Sequence, residues 1–149
     1  MELIELNRRS NLLICKLLNI YSRINYFAVD RWKFRTFTKK NVELKNIHAG
    51  ETVYIIGNGP SVKKLDLEKL KGKHIITVNK SISTEMFKIL EPEYHCVIDR
   101  YILNDTIDAI KKVSSDPRCA TKFLLHRTGI NRIGFNDNVY FIYNRIFPC

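Results

Sequence analysis

The residues best suited to chemistry in this chain lie in the stretch Ile55-Ile56-Gly57-Asn58-Gly59-Pro60-Ser61. Two glycines leaving an apolar, β-branched run let backbone N–H groups approach a phosphate with no Cβ in the way. A helix starting just after them would add unpaired donors and the positive end of its dipole. Pro60 suits the first turn of such a helix because it has no N–H to leave unbonded, and Ser61 can accept a backbone donor there. An ordinary strand-to-helix turn can also carry glycine. Asn58 and the Pro60-Ser61 pair, at the carboxyl end of a strand, favour a seat for a mono- or diphosphate group.

Two further polar steps follow apolar runs in the same way. Asn79-Lys80 comes after Ile75-Ile76-Thr77-Val78, and Asp99-Arg100 comes after Tyr94-His95-Cys96-Val97-Ile98. An amide such as Asn79 both donates and accepts, which suits a base or a ribose. Lys80 and Arg100 could neutralise phosphate oxygens. The common nucleotide fingerprints fail on particular residues. The dinucleotide motif needs a third glycine where Val62 stands, and an acid at the end of the next strand where Asn79 stands. No Gly-Lys-Ser/Thr run completes a P-loop, so neither NAD nor a Walker-type ATP site is expected.

The elements that must hold these residues alternate along the chain. Thr52–Ile56, Ile75–Asn79, Tyr94–Asp99, Lys122–Leu125 and Val139–Tyr143 read as strands, each short and rich in β-branched or aromatic residues. Between them, a short helical stretch is expected near Leu65–Leu70. A second helix, capped by Ser83, should run through Leu90, and a third should place Ile102, Ile107, Ile110 and Val113 on one face. Strand, helix, strand, helix in that rhythm predicts an α/β fold: an incomplete Rossmann-like parallel sheet with right-handed crossovers. The carboxyl ends of its strands should border one crevice, the usual ligand position.

Ahead of this lies a different pattern. Leu3, Leu6, Ser10, Leu13, Leu17, Ile20, Ile24 and Phe27 recur at intervals of three and four, the spacing of one helical face, so an amphipathic N-terminal helix is expected. It either packs on the domain or on a second copy, or lies on the inner face of a membrane. Residues 36–50 read as a polar connector. The expected division is therefore 1–49, a basic helix and connector, and 50–149, a nucleotide-binding half-domain.

Charge agrees with an anionic partner. The chain of 149 residues has 25 Lys+Arg against 15 Asp+Glu, a formal net charge of +10. Residues 1–50 hold ten basic and four acidic residues, net +6, so the excess is densest there. No nucleic-acid-binding motif accompanies it, and nucleic acid is not an expected partner. The four cysteines, at 15, 96, 119 and 149, have no short spacing that could clamp a metal. No metal site is expected, His48, His74 and His95 read as surface or strand residues, and a reducing cytoplasm is the default. Glu2 and Glu5 replace the basic start of a signal peptide, and Lys16, Asn19 and Arg23 interrupt any spanning helix.

With these residues in view, 50–104, and more loosely to about 147, resemble the amino-terminal half of a bacterial group. It joins the α-2,3-sialyltransferase family to the 6-hydroxymethylpterin diphosphokinase MptE-like family. The likeness rests on Gly57-Asn58-Gly59-Pro60-Ser61 after a strand and on Asn79 ending the next. It implies that Asn58, Gly59 and Asn79 contact the cytidine nucleotide of a CMP-sugar donor. The implied activity is transfer of a nucleotide-activated sugar to a glycan acceptor, for surface polysaccharide or lipopolysaccharide. Asp99 is closer to the MptE-like pattern, which would instead imply ATP, Mg²⁺ and diphosphate transfer to a pterin-like alcohol. Members of the group continue past this length, and the sialyltransferase general base lies in that continuation; His126 comes too early to take its place. A truncated chain that binds a partner without turnover, through its basic helix or as an oligomer, is the third expectation.

Overall fold

The structure, a computed structural model, describes residues 14–17, 20–21, 36–134 and 136–142. The chain divides into two compact units, Met1–Lys39 with Arg145–Cys149, and Lys40–Asn144. In the first, residues 14–17, 20–21 and 36–39 are helical, and Ile14, Leu17, Ile20 and Tyr21 are exposed. The rest of the expected amphipathic helix lies outside the described residues. Among those residues no helix is long and apolar enough to cross a membrane.

The second unit is α/β. Its strands β1 (Val53–Ile56), β2 (His74–Val78), β3 (Tyr94–Val97), β4 (Lys122–His126) and β5 (Val139–Ile142) form one all-parallel sheet. Helices α1 (Glu85–Leu90), α2 (Arg100–Ser114) and α3 (Ile130–Ile133) flank it. The class, the parallel sheet and its incomplete Rossmann-like character are those implied by the sequence. The strand order is β1-β2-β3-β4-β5, with no reversal among the described strands. The crevice that a doubly wound sheet opens where its order turns back is therefore not formed by these five strands. They share one continuous carboxyl rim instead.

Right-handed crossovers that always advance in one direction fall on one face of a sheet. The contacts agree: α2 packs on α3 and on the 3-10 turn Asn79–Ser83, which also meets α1. Beneath this layer Ile56, Ile75, Thr77, His95, Val97, Phe123, Leu125, Val139 and Phe141 are all buried. They alternate along each strand, and the register aligns them across the sheet. The helix α2 answers with Leu103, Ile107 and Ile110 at intervals of four and three, all buried. Gly129 permits a close approach on this side, because a Cβ there would stand 3.3 Å from Leu103 Cδ2 and 3.4 Å from Phe141 Cε1.

The helical stretches near the glycine loop differ from expectation. The crossover from β1 to β2 holds two 3-10 turns, Pro60–Lys64 and Leu67–Leu70, and no α-helix. Val62, Leu67 and Leu70 pack on Ile56, Ile75, Met86 and Leu90, so the segment is pinned by side chains. Thr84, and not Ser83, is the residue that precedes α1, and it makes no side-chain cap. Ser83 instead closes the preceding 3-10 turn.

Among the described residues of this unit, the opposite face is covered only in part. The 3-10 turn Lys40–Leu44 lies along β5: the Lys40 ammonium donates to the Asn136 and Asp137 carbonyls, and Asn41 Nδ2 donates to Phe141 O at 3.0 Å. Tyr140 Oη donates to Glu43 Oε2 at 3.2 Å, and Lys40 Nζ stands 4.7 Å from the Tyr140 ring centre. From Lys40 onward the connector thus belongs to the sheet unit, and it carries His48 to the amino ends of β2 and β3.

Candidate functional site

The carboxyl rim gathers the polar strand ends in the order of the sheet. Ile56 pairs with Thr77, Val78 with Cys96, and Val97 with Leu125. The residues just beyond are thus neighbours: Gly57-Asn58, then Asn79, then Asp99-Arg100, then His126.

At β1, the Gly57–Ser61 residues are all exposed. Gly59 precedes the 3-10 turn with φ −71° and ψ 160°, and its carbonyl accepts from Val62 N at 3.1 Å. Pro60 opens the turn, as its missing N–H predicts. Ser61 does not cap it, because the preceding residue is Gly59 and no side-chain cap forms. Among the described residues, the N–H groups of Asn58 and Gly59 and the side chains of Asn58 and Ser61 have no hydrogen-bond partner. Neither Gly57 nor Gly59 adopts a positive φ, and no protein atom lies within 4 Å of a Cβ built on Gly57. On Gly59 the nearest would be Ser61 Oγ at 3.9 Å. The described residues thus place no demand for glycine at either position. With only a short 3-10 turn behind the loop, the expected helix dipole contributes little, and the exposed amides carry the site.

At β2, Asn79 is the first residue beyond the strand and adopts φ 57°, a left-handed conformation that asparagine tolerates better than most residues. Its side-chain amide has no hydrogen-bond partner among the described residues. Lys80 Nζ is 2.8 Å from Asp105 Oδ2 on α2, both groups well exposed, so this pair costs little to open.

At β3, the strand ends at Val97, earlier than expected, because Asp99 becomes the N-cap of α2. Its Oδ1 accepts from Tyr101 N at 2.7 Å and from Ile102 N at 3.1 Å. Arg100 turns to Tyr101, donating to its hydroxyl at 2.6 Å with the guanidinium 4.6 Å from the ring centre. At β4, His126 Nδ1 accepts from Thr128 N at 3.3 Å. Burial first, then the Arg127 and Arg100 charges, hold the His126 ring below its ordinary pKa of 6.5.

His95 is a buried strand residue. Its Nδ1 bonds Thr77 Oγ1 at 2.9 Å, Phe87 and Phe123 meet it edge-on, and burial pushes its pKa down to about 4. It packs inside the helix-covered face, close to the Asn79 backbone, which works against burial to raise its pKa.

The amino rim holds what the sequence reading missed. His48 from the connector and His74 at the start of β2 have ring centres 4.1 Å apart, their planes tilted by 46°. His48 Nδ1 is 2.7 Å from Glu51 Oε2, and its Nε2 is 3.1 Å from Glu93 Oε1 and 2.8 Å from Tyr94 Oη. His74 Nδ1 is 2.7 Å from Glu93 Oε2, and its Nε2 is 3.1 Å from Glu51 Oε2. The bond to Glu51 raises the His48 pKa. Burial works to raise that of Glu93, but bonds from His74 and Tyr94 and the charges of His48 and Lys122 bring it below its ordinary value. Desolvation, then Glu93, pushes the Tyr94 hydroxyl up. No spacing in the sequence announces this cluster, since its members join only when the connector crosses under the parallel strands.

No protein-family model matches the chain, and no curated protein or solved structure is significantly similar to it.

Proposed function

We propose that the carboxyl rim binds the phosphate of a nucleotide-activated sugar, and that the protein is glycosyltransferase-like, of the sialyltransferase type. Its role would lie in surface polysaccharide or lipopolysaccharide synthesis. The observation that carries this reading is the pair of amides at Asn58 and Gly59 that have no partner among the described residues, beside glycines for which those residues show no internal need. A backbone donor pair over open space is what an anionic oxygen requires. Asn79, one strand away with a side-chain amide that has no partner among the described residues, suits the ribose or base of the same ligand. A CMP-sugar is the donor this reading favours, on the strength of the Gly57–Ser61 loop and Asn79 together.

The diphosphokinase alternative is weaker on one point. It needs Asp99 near a magnesium ion, whereas the Asp99 carboxylate already accepts two amides at the start of α2. Peripheral membrane contact fits the first unit, where Ile14, Leu17, Ile20 and Tyr21 expose apolar surface at helical spacing in a basic segment.

Calorimetric titration of the protein with CMP, CMP-sugars and ATP, with and without Mg²⁺, tests the reading. Binding of cytidine nucleotides without metal supports it. Binding of ATP alone, and only with Mg²⁺, would transfer the case to the diphosphokinase, and no binding of any nucleotide would end it. Liposome co-sedimentation of Leu17→Glu against wild type tests the membrane contact; equal sedimentation of the two would remove it.

A further inference from the structure

Each of the four ring nitrogens of His48 and His74 lies within 3.1 Å of a carboxylate oxygen, from Glu51 or Glu93. A neutral imidazole has one N–H and one bare lone pair. Whatever tautomers the two rings adopt, each therefore turns one bare nitrogen toward a carboxylate oxygen at hydrogen-bond distance. The Tyr94 hydroxyl can donate to His48 Nε2, but His74 has no such relief among the contacts of its ring. The closed ring of two imidazoles and two carboxylates lacks positive charge at its centre. Either two added protons or one divalent cation supplies it.

We propose that His48, His74 and Glu93 bind a divalent transition-metal ion of the zinc class, with Glu51 as the second carboxylate of the site. One donor atom from each of the three lies within 4.8 Å of the other two. Tetrahedral zinc, with bonds of about 2.0–2.1 Å, needs donors roughly 3.3 Å apart, so the widest pair must close by about 1.5 Å. The side chains are free to do so: they are 18%, 38% and 28% exposed, and none is locked in the core. Two imidazoles with a carboxylate are a borderline nitrogen-and-oxygen set, which suits zinc, cobalt or nickel; magnesium and calcium prefer oxygen alone. Three protein ligands leave a position for Glu51 or for water.

The neighbours have definable parts. Glu51 or Glu93 can accept from the ring nitrogen that does not face the ion, which fixes ring orientation and raises ligand basicity. Lys122 Nζ stands 3.6 Å from Glu93 Oε1 and 5.2 Å from the Tyr94 ring centre. It is the cation that the metal would displace from Glu93. Because His48 belongs to the connector while His74 and Glu93 border strands, a bound ion ties the connector to the amino rim. That coupling makes metal binding a stabilising event.

The test uses the full chain stripped of metal by chelation and titrated with Zn²⁺ and Co²⁺. The expected result is one ion per chain at micromolar or tighter affinity, and a visible Co²⁺ spectrum without thiolate charge transfer. The melting temperature should rise by roughly 5 °C at saturation. Glu93→Gln and His74→Asn should each weaken Zn²⁺ binding at least about tenfold while retaining the wild-type circular dichroism spectrum. No binding by the wild-type protein would mean that protons close the ring, and would overturn the proposal without reference to any variant. Thiolate charge transfer would move the ion to cysteine and overturn it equally, as would unchanged affinity in both variants.

Discussion

The two rims of this sheet face opposite ends of the same five strands, yet one is closed and the other open. At the amino rim His48, His74, Glu51, Glu93, Tyr94 and Lys122 contact one another in a compact ring of polar groups. At the carboxyl rim the amides of Asn58 and Gly59 and the side chains of Asn58, Ser61 and Asn79 have no partner among the described residues. Parallel strands make such asymmetry possible, since every carboxyl end points one way and every amino end the other. What the chain satisfies internally serves structure or holds a small ion. What it leaves open invites a ligand.

The largest effect should come from what the two rims share. Phe123 is fully buried on β4 beneath α2, so Phe123→Ala should cost about 3–5 kcal/mol of stability. Urea denaturation measures it, and loss of less than about 1 kcal/mol would mean that the rims do not stand on this core. Next, Asn58→Ala with Ser61→Ala removes the open side-chain groups of one rim only. Nucleotide binding should weaken by roughly 1–3 kcal/mol with the fold intact, read by calorimetry beside circular dichroism. Unfolding of this variant would show that the loop serves the structure.

A smaller effect separates cap from ligand at β3. Asp99→Ala should cost about 1 kcal/mol of stability through the two amides it leaves at α2, with nucleotide affinity little changed. A large loss of affinity at constant stability would return Asp99 to the nucleotide. The smallest effect is a divergence of two histidines in metal-free protein. His48 should titrate above 6.5 because Glu51 holds its charged form, and His126 below 6.5 because burial and Arg127 disfavour it. The signs for stability are then opposite. The His48 contribution is full below 6.5 and is lost as pH rises through its folded value. That of His126 is full above 6.5 and is lost as pH falls toward its folded value. Imidazole proton shifts followed against pH by NMR check both, and parallel titrations would erase the contrast.

The sequence carried the fold class and the open rim because both are local patterns. Five short apolar runs mark the strands, and Gly57–Ser61 is contiguous at the end of one of them. The run Leu65–Leu70 was harder: its leucines satisfy a helical pattern, but Val62, Leu67 and Leu70 reach the core from two 3-10 turns. Strand order has no local signature, so the absence of a reversal could not be read from the alternation of elements. The amino-rim cluster was least legible. His48 and His74 are 26 positions apart and Glu93 a further 19, and only the path of the connector beneath the sheet joins them. His95, two positions after Glu93, faces the helices instead, a matter of alternation along β3.

The open rim is the claim on which the functional account stands. Amide-resolved NMR of ¹⁵N-labelled protein titrated with CMP tests it directly. The account predicts saturable shifts at the Asn58, Gly59 and Asn79 amides, with the resonances of His48, His74 and Glu93 unmoved. Silence at Asn58 and Gly59, at CMP concentrations that perturb other residues or none, would contradict it.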